Sequence, residues 1–386
     1  MKTVFNSDHL LSSLTFLTED RLARFVDETN RISKEDIQGR KLVVALGTGG
    51  TISMKIENGI AVPDLDFDAM FRYANPILKE HFSVKSLDLF QIDSSQMTYA
   101  HVRDLAIAMI YIWDKMQVPF IGFFVPHGTD TMSYSSAAIS LMMGQGLPFS
   151  AVFTGAQKPI QEPVNDANTN IRNALYTLEA LHANNMAEIV VVMGEKAILG
   201  TSSEKIDDIE AEAFDAPLHK FVARFGRLDY PVRIASWLKP RRDVPFEPVI
   251  IPDDYGHTLV VRSVLGLNPA IVERQAQDPG VKAVILYSYG ATTFENTIID
   301  TLAKATQERQ IPMFYISPVN AEPRIGYESG LRLKEKGAYP LYMTLSSALA
   351  KIEIALNGYP GDLKGITDFI TTNFVGEIPS ESSRYY

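Results

Sequence analysis

The chain predicts an α/β fold in two domains, the larger N-terminal one with a mostly parallel sheet flanked by helices and the smaller C-terminal one also α/β. Three observations carry that prediction. Apolar runs of strand length at 42–46, 119–125 and 149–153 each end in a loop that releases glycine and threonine, and stretches of helical spacing follow them. The length, 386 residues, exceeds what one hydrophobic core usually holds. Over 227–254 the texture changes to scattered prolines around Lys239-Pro240-Arg241-Arg242, after which the alternation resumes. The expected organisation is therefore a helical extension over 1–38, a first domain over 39–226, a linker over 227–254 and a second domain over 255–386.

Residues 1–38 set Leu10, Leu11, Leu14, Phe16, Leu17, Leu22 and Phe25 among polar residues. This predicts a helix or two lying on the surface or against a neighbouring subunit, with no chemistry of its own. The run 42–46, rich in valine and leucine, suits a strand buried on both faces. It leads into Gly47-Thr48-Gly49-Gly50-Thr51, where glycines permit a sharp turn and close approach to a ligand while Thr51 presents a hydroxyl. A dinucleotide fingerprint would need glycine at Ile52, and a P-loop would need a Gly-Lys-Ser/Thr ending, so neither applies. Residues 54–65 contain Asn58, Gly59 and Pro63 and predict an exposed hairpin or flap.

Asp93-Ser94-Ser95 precedes a helix expected over 99–116, with Leu105, Met109 and Ile112 on one face; helix capping is the ordinary role of such a cluster. The strand over 119–125 ends in His127-Gly128-Thr129-Asp130-Thr131-Met132, ahead of a helix starting near Ser133. The strand over 149–153 closes in Thr154-Gly155-Ala156-Gln157, and a helix over 168–182 and a strand over 189–193 continue the pattern. Ligand binding is expected in the crevice outside the carboxyl ends of these strands. In the second domain, strands are expected over 258–261, 283–288 and 313–317, with helices over 297–309 and 344–357.

Composition narrows the function. The hydrophobic content of 46% is that of an ordinary globular protein, and a net charge of −10 argues against nucleic acid or anionic membrane as a partner. The absence of cysteine excludes thiolate catalysis, disulfides and cysteine-ligated metal. No HExxH spacing occurs, so metal-assisted hydrolysis lacks a ligand set, and no cofactor is expected. The first twenty residues hold no long apolar core, which makes a cytoplasmic enzyme the expectation. A hydroxyl nucleophile needs a base or a positive neighbour, and Thr129-Asp130 satisfies part of that. The missing basic group is His127 or a lysine brought from elsewhere, one candidate being Lys205 in the polar stretch LGTSSEK.

Thr48-Gly49-Gly50-Thr51-Ile52 and His127-Gly128-Thr129-Asp130-Thr131-Met132, in this order, resemble the two signatures of the bacterial-type L-asparaginase and glutaminase-asparaginase family. The resemblance runs over about 41–375 and is closest to the cytoplasmic type I branch. It implies hydrolysis of L-asparagine to L-aspartate and ammonia through a threonine acyl-enzyme, by homodimers usually paired into tetramers. Position by position, it implies Thr51 as the first catalytic threonine and Thr129 as the second, with Asp130 and Lys205 completing the set. It further implies Ser94 and Ser95 at the substrate α-carboxylate, Asp130 also at the α-ammonium, and backbone contacts from Gly50, Gly128 and Ala156.

Four departures stand out. The flap offers Ile60 where the family usually has a tyrosine, Thr293 falls nearest the usual asparagine of the second domain, an acidic insertion over 207–212 follows the lysine, and the usual Asp-Gly before the next helix becomes Asp166-Ala167. The altered flap and Thr293 motivate an alternative reading as a glutaminase or other small-amide hydrolase. An amino-acid-binding regulatory protein with little turnover is the reading from a different class, and the intact threonine, aspartate and lysine set speaks against it.

Overall fold

Five consecutive apolar residues, Leu42 to Leu46, are all buried because their strand lies inside the sheet and is covered on both faces. A computed structural model of the chain describes residues 6–57, 60–63, 65–225, 232–241, 244–319 and 326–384. It separates into two compact units, residues 1–216 with 220–250, and residues 217–219 with 251–386.

The first unit is built on β1 (Lys41–Gly49), β4 (Phe82–Ile92), β5 (Phe123–Pro126), β6 (Ala151–Thr154), β7 (Ile189–Met193), β8 (Lys196–Leu199) and β11 (Ala223–Arg224), in the order β11-β8-β7-β6-β5-β1-β4. Pairing is parallel from β4 through β7, and only β8 runs against its neighbours. From β1 the chain goes outward to β4, then returns across β1 to β5. That reversal is the topological switch point of the sheet, where the strand ends diverge and leave a crevice. On one face, α7 (Ala167–Ala183) covers Val43, Ala45, Phe124, Val152 and Val190, together with α3 (Phe67–Tyr73) and α4 (Pro76–His81). Helix α5 (Tyr99–Lys115) is buried over most of its length and packs on α6 (Met132–Met143).

The extension forms a 3-10 segment, Ser7–Ser13, then α1 (Glu19–Asn30) and the short α2 (Lys34–Ile37). Leu10, Leu17, Leu22, Phe25 and Val26 are buried within the first unit. The expected hairpin is present as β2 (Met54–Glu57) pairing antiparallel with β3 (Ile60–Pro63). Asn58, Gly59 and the side chain of Ile60 lie outside the described residues.

The second unit has four parallel strands in sequence order, β12 (Thr258–Arg262), β13 (Ala283–Tyr287), β14 (Met313–Ile316) and β15 (Tyr339–Leu341). Crossovers of one hand place α8 (Pro269–Ala276), α9 (Asn296–Arg309) and α10 (Glu328–Glu335) on one face, with α11 (Leu345–Gly358) and α12 (Leu363–Thr371) on the other.

The stretch expected as a linker contributes residues 232–241 and 244–250 to the first unit, where a buried ion pair ties it down. Arg241 reaches Glu188 Oε1 at 2.6 Å, Ser140 Oγ at 2.9 Å and the Ser140 carbonyl at 2.8 Å. Burial pushes the Glu188 carboxyl pKa up, against the pull of the guanidinium. Arg241→Met should therefore cost about 3–5 kcal/mol by stranding a buried carboxylate, and the pair of changes Arg241→Met and Glu188→Leu should recover most of it. Urea midpoints check this: a single variant as stable as the parent would show that the carboxylate does not depend on Arg241.

Candidate active site

Three strand-end turns of the first unit converge at the carboxyl edge of its sheet. Gly50, with φ at 89°, lies so close to the β5 turn that a Cβ there would fall 2.4 Å from the Gly128 nitrogen. Only glycine fits both the backbone angle and the space. A Cβ on Gly128 would in turn fall 2.5 Å from Ser94 Oγ, so the turn after β4 forms the third wall. Side chains tie the turns together: Thr48 Oγ1 donates to the Pro126 carbonyl at 2.9 Å, and Thr131 Oγ1 donates to the Ser94 carbonyl at 2.9 Å. Thr51, half-buried, opens a single 3-10 turn, Thr51–Ser53, and Ser53 Oγ donates to the Gly50 carbonyl at 3.1 Å. Ser94 is buried and Ser95 exposed, and Asp93 caps their turn by accepting from the Ser95 nitrogen at 2.8 Å.

Lys205 arrives from a separate two-stranded piece, β9 (Glu204–Lys205) paired antiparallel with β10 (Phe214–Asp215). Its Nζ lies 3.0 Å from Thr129 Oγ1 and 2.6 Å from Asp130 Oδ1. The pair is not sealed: the lysine side chain is 22% exposed and the aspartate 59%. The acidic insertion after Lys205 is an ordered knuckle, in which the Asp207 carboxylate accepts from the Ile209 and Glu210 nitrogens at 2.7 and 2.8 Å. Lys196 anchors its far end through Glu212 at 3.3 Å.

The turn after β6 carries buried Ala156 and is held by two residues that reading the sequence did not single out for a role. Asp166 accepts from the Gln157 nitrogen at 3.0 Å and the Lys158 nitrogen at 3.1 Å. Asn170, one helical turn on, donates to the Gly155 carbonyl at 2.9 Å and accepts from the Gly194 nitrogen at 2.9 Å. No local signal marks it, since Asn173 and Thr177 are buried on the same helix as well.

His127, the alternative basic group, is engaged with the Gly128 carbonyl and packs against the Phe153 ring. It is fully buried, its Nδ1 sits 2.7 Å from the Gly128 carbonyl, and Nε2 has no hydrogen-bond partner among the described residues. Burial lowers its pKa to about 4, so the ring is neutral at pH 7 and Nδ1–H donates to Gly128. The unfolded chain takes up that proton near pH 6.5 and the folded chain only near pH 4. Stability therefore falls as pH drops through that window, by about 3 kcal/mol for this residue. NMR should show no protonation of His127 between pH 5 and 8, and an imidazole titrating near 6.5 would overturn its assignment as a buried neutral donor.

Comparison with known proteins agrees with this architecture. The model of the asparaginase N-terminal domain matches residues 42–235. The chain is 28% identical over 343 residues to an L-asparaginase of Thermococcus kodakarensis, covering 88% of this chain and 99% of that protein. It is also 27% identical to a glutamyl-tRNA(Gln) amidotransferase subunit of Thermofilum pendens, covering 91% of this chain and 78% of the relative. Among solved structures, the thermostable L-asparaginase from Thermococcus kodakarensis superposes with a TM-score of 0.76 at 26% identity, covering 88% of this chain and 99% of that one. L-asparaginase I from Vibrio cholerae shares the fold, with a TM-score of 0.71 at 24% identity, covering 88% of this chain and all of that one. With the matched model spanning half of the chain and including all three converging turns, the chain belongs to the asparaginase family.

Proposed function

We propose that this protein is a cytoplasmic L-asparaginase, hydrolysing L-asparagine to L-aspartate and ammonia through an acyl-enzyme on Thr51. The observation that carries the reading is the Lys205 ammonium donating to Thr129 Oγ1 and Asp130 at once, beside the turn that bears Thr51. An ammonium shared in this way holds a hydroxyl in one orientation, and a binding pocket alone has no need of such a constraint. Thr51 Oγ1 attacks the side-chain amide carbon, and the proton lost from that hydroxyl reaches the leaving nitrogen through the Thr129, Lys205 and Asp130 set. The carbon–nitrogen bond breaks and ammonia departs. Water then adds to the ester, the bond to Thr51 breaks, and aspartate leaves with the threonine proton restored.

Backbone N–H groups of the turn at Gly128 and Thr129 stabilise the oxyanion in both steps. Ser94 and Ser95 take the α-carboxylate, and Asp130, whose carboxylate is more than half exposed, takes the α-ammonium. Gly50 and Ala156 supply backbone contacts. Association into homodimers or homotetramers belongs to the same reading.

The relatives named as amidotransferase subunits favour a second reading, in which the same amide cleavage serves a larger assembly. Ammonia release by the isolated chain separates the two: an asparaginase turns over alone, whereas a dependent component needs its partner.

Steady-state ammonia assays test the roles. Thr51→Ala, Thr129→Val and Lys205→Met should each lower kcat by at least about a hundredfold without unfolding the protein. One missing methylene separates asparagine from glutamine, so discrimination by fit alone is about 10–200-fold and a modest glutaminase side activity is expected. A simple amide with no α-amino-acid head leaves charged partners unmatched and should be a poor substrate. Turnover of glutamine or of such an amide at or above the asparagine rate would displace the asparaginase assignment in favour of another amidohydrolase.

A further inference from the structure

Residues 6–37 lie outside the matched family model, yet they are bound to the first unit along the whole of α5. Asp104, fully buried midway along that helix, accepts from three successive backbone nitrogens of the extension: Thr15 at 3.0 Å, Phe16 at 2.7 Å and Leu17 at 2.9 Å. Arg103 beside it donates to Thr15 Oγ1 at 2.6 Å. At the far end of α5, Ser7 Oγ donates to Asp114 at 2.8 Å, and Asn30 Oδ1 accepts from the Gln117 nitrogen at 2.8 Å.

These contacts hold one short stretch, residues 15–21, against both ends of the turn that carries Ser94 and Ser95. On the outgoing side, the Phe16 ring stacks on His101 with centroids 3.9 Å apart and planes 13° from parallel. His101 Nδ1 in turn lies 3.0 Å from Thr98 Oγ1, the capping residue of α5. On the incoming side, Phe16 meets Phe90 of β4 edge-on at 6.3 Å, and Arg21 donates to the Asp88 and Leu89 carbonyls. Phe90 and His101 are themselves edge-to-face at 5.1 Å, so the three rings form one cluster spanning the base of the turn.

We infer that the extension is a brace for substrate binding, with Phe16 and Arg21 as positioning residues that fix the Asp93–Ser95 turn for the substrate α-carboxylate. The inference rests on the hydrolase reading above, which gives that turn its ligand. Phe16 is 51% exposed, so an interior packing role does not account for an aromatic ring laid flat on a histidine at this place. A brace of this kind acts on binding of the amino-acid head and leaves the chemistry of the amide untouched.

The full-length chain with Phe16→Ala, and separately with Arg21→Gln, tests this against L-asparagine and against 3-aminopropanamide, which is asparagine without its α-carboxylate. Phe16→Ala should raise KM for asparagine about tenfold with kcat within about twofold, and leave kcat/KM for 3-aminopropanamide within about twofold. Arg21→Gln should change the same quantities in the same direction, and Phe16→Trp, which keeps a ring over His101, should restore KM. An unchanged KM in Phe16→Ala overturns the brace. Equal losses on both substrates also overturn it, because they indicate general loosening of the fold. A parent chain that releases no ammonia from asparagine sinks the hydrolase reading itself; the brace is then judged by calorimetric binding of L-aspartate, which Phe16→Ala must weaken about tenfold for it to stand.

Discussion

The backbone at Gly50 rests directly on the backbone at Gly128, and the rest of the site follows from that contact. Strands β4, β1 and β5 are neighbours in the sheet, so their carboxyl ends leave it side by side. Register sharpens the effect, because the ladder between β1 and β4 slips between Gly47 and Gly49 and sets Gly49 against Ile92. The turn at 93–95 thereby starts level with the turn at 50–51. A Cβ at either glycine would lie closer to the facing turn than van der Waals contact allows, and the turns would have to separate. The sheet thus imposes adjacency, and the absence of side chains at two positions turns adjacency into contact.

Much of this was legible in the chain. Strands β1, β7 and β12 to β14 announce themselves as apolar runs, and α5, α7, α9 and α11 as long periodic stretches, with boundaries within one residue of those expected except at β1, which runs on to Gly49. The strand expected over 119–125 enters the ladder only at Phe123. Strand β4 escaped notice because it lies at the sheet edge, where half-buried residues such as Ser86 and Asp88 blur its alternation. Strand β15 is short, at an edge, and contains Pro340, which a central strand would not tolerate. The motifs named Thr51, Thr129, Asp130 and Lys205, and the geometry brings the last three into hydrogen-bond contact. What no local pattern could give were the supports, since Asp166 and Asn170 hold the turn after β6 through partners as far away as Gly194.

Two ion pairs in the first unit show how surroundings divide the uses of charge. Arg241 and Glu188 are enclosed, and Ser140 takes up further donors of the guanidinium, so the pair fixes one chain path. Lys205 and Asp130 are equally close, but their site is open on one side, and the aspartate side chain keeps more than half of its surface accessible to a ligand. A sealed pair resists any rearrangement because each partner would be stranded; an open one can exchange a contact for another at little cost. The same two residue classes thus serve rigidity in one place and accommodation in the other.

Asp104 has a consequence for how this chain can change over evolutionary time. A carboxylate on the buried face of α5 is tolerable while Thr15, Phe16 and Leu17 surround it with donors. Loss of the leading segment would remove all three donors and uncover the carboxylate together with apolar surface of α5, whereas replacement of the aspartate by an apolar residue would strand three backbone donors. Neither step is neutral without the other. Segment and carboxylate are therefore coupled: a change that removes one removes the reason for the other.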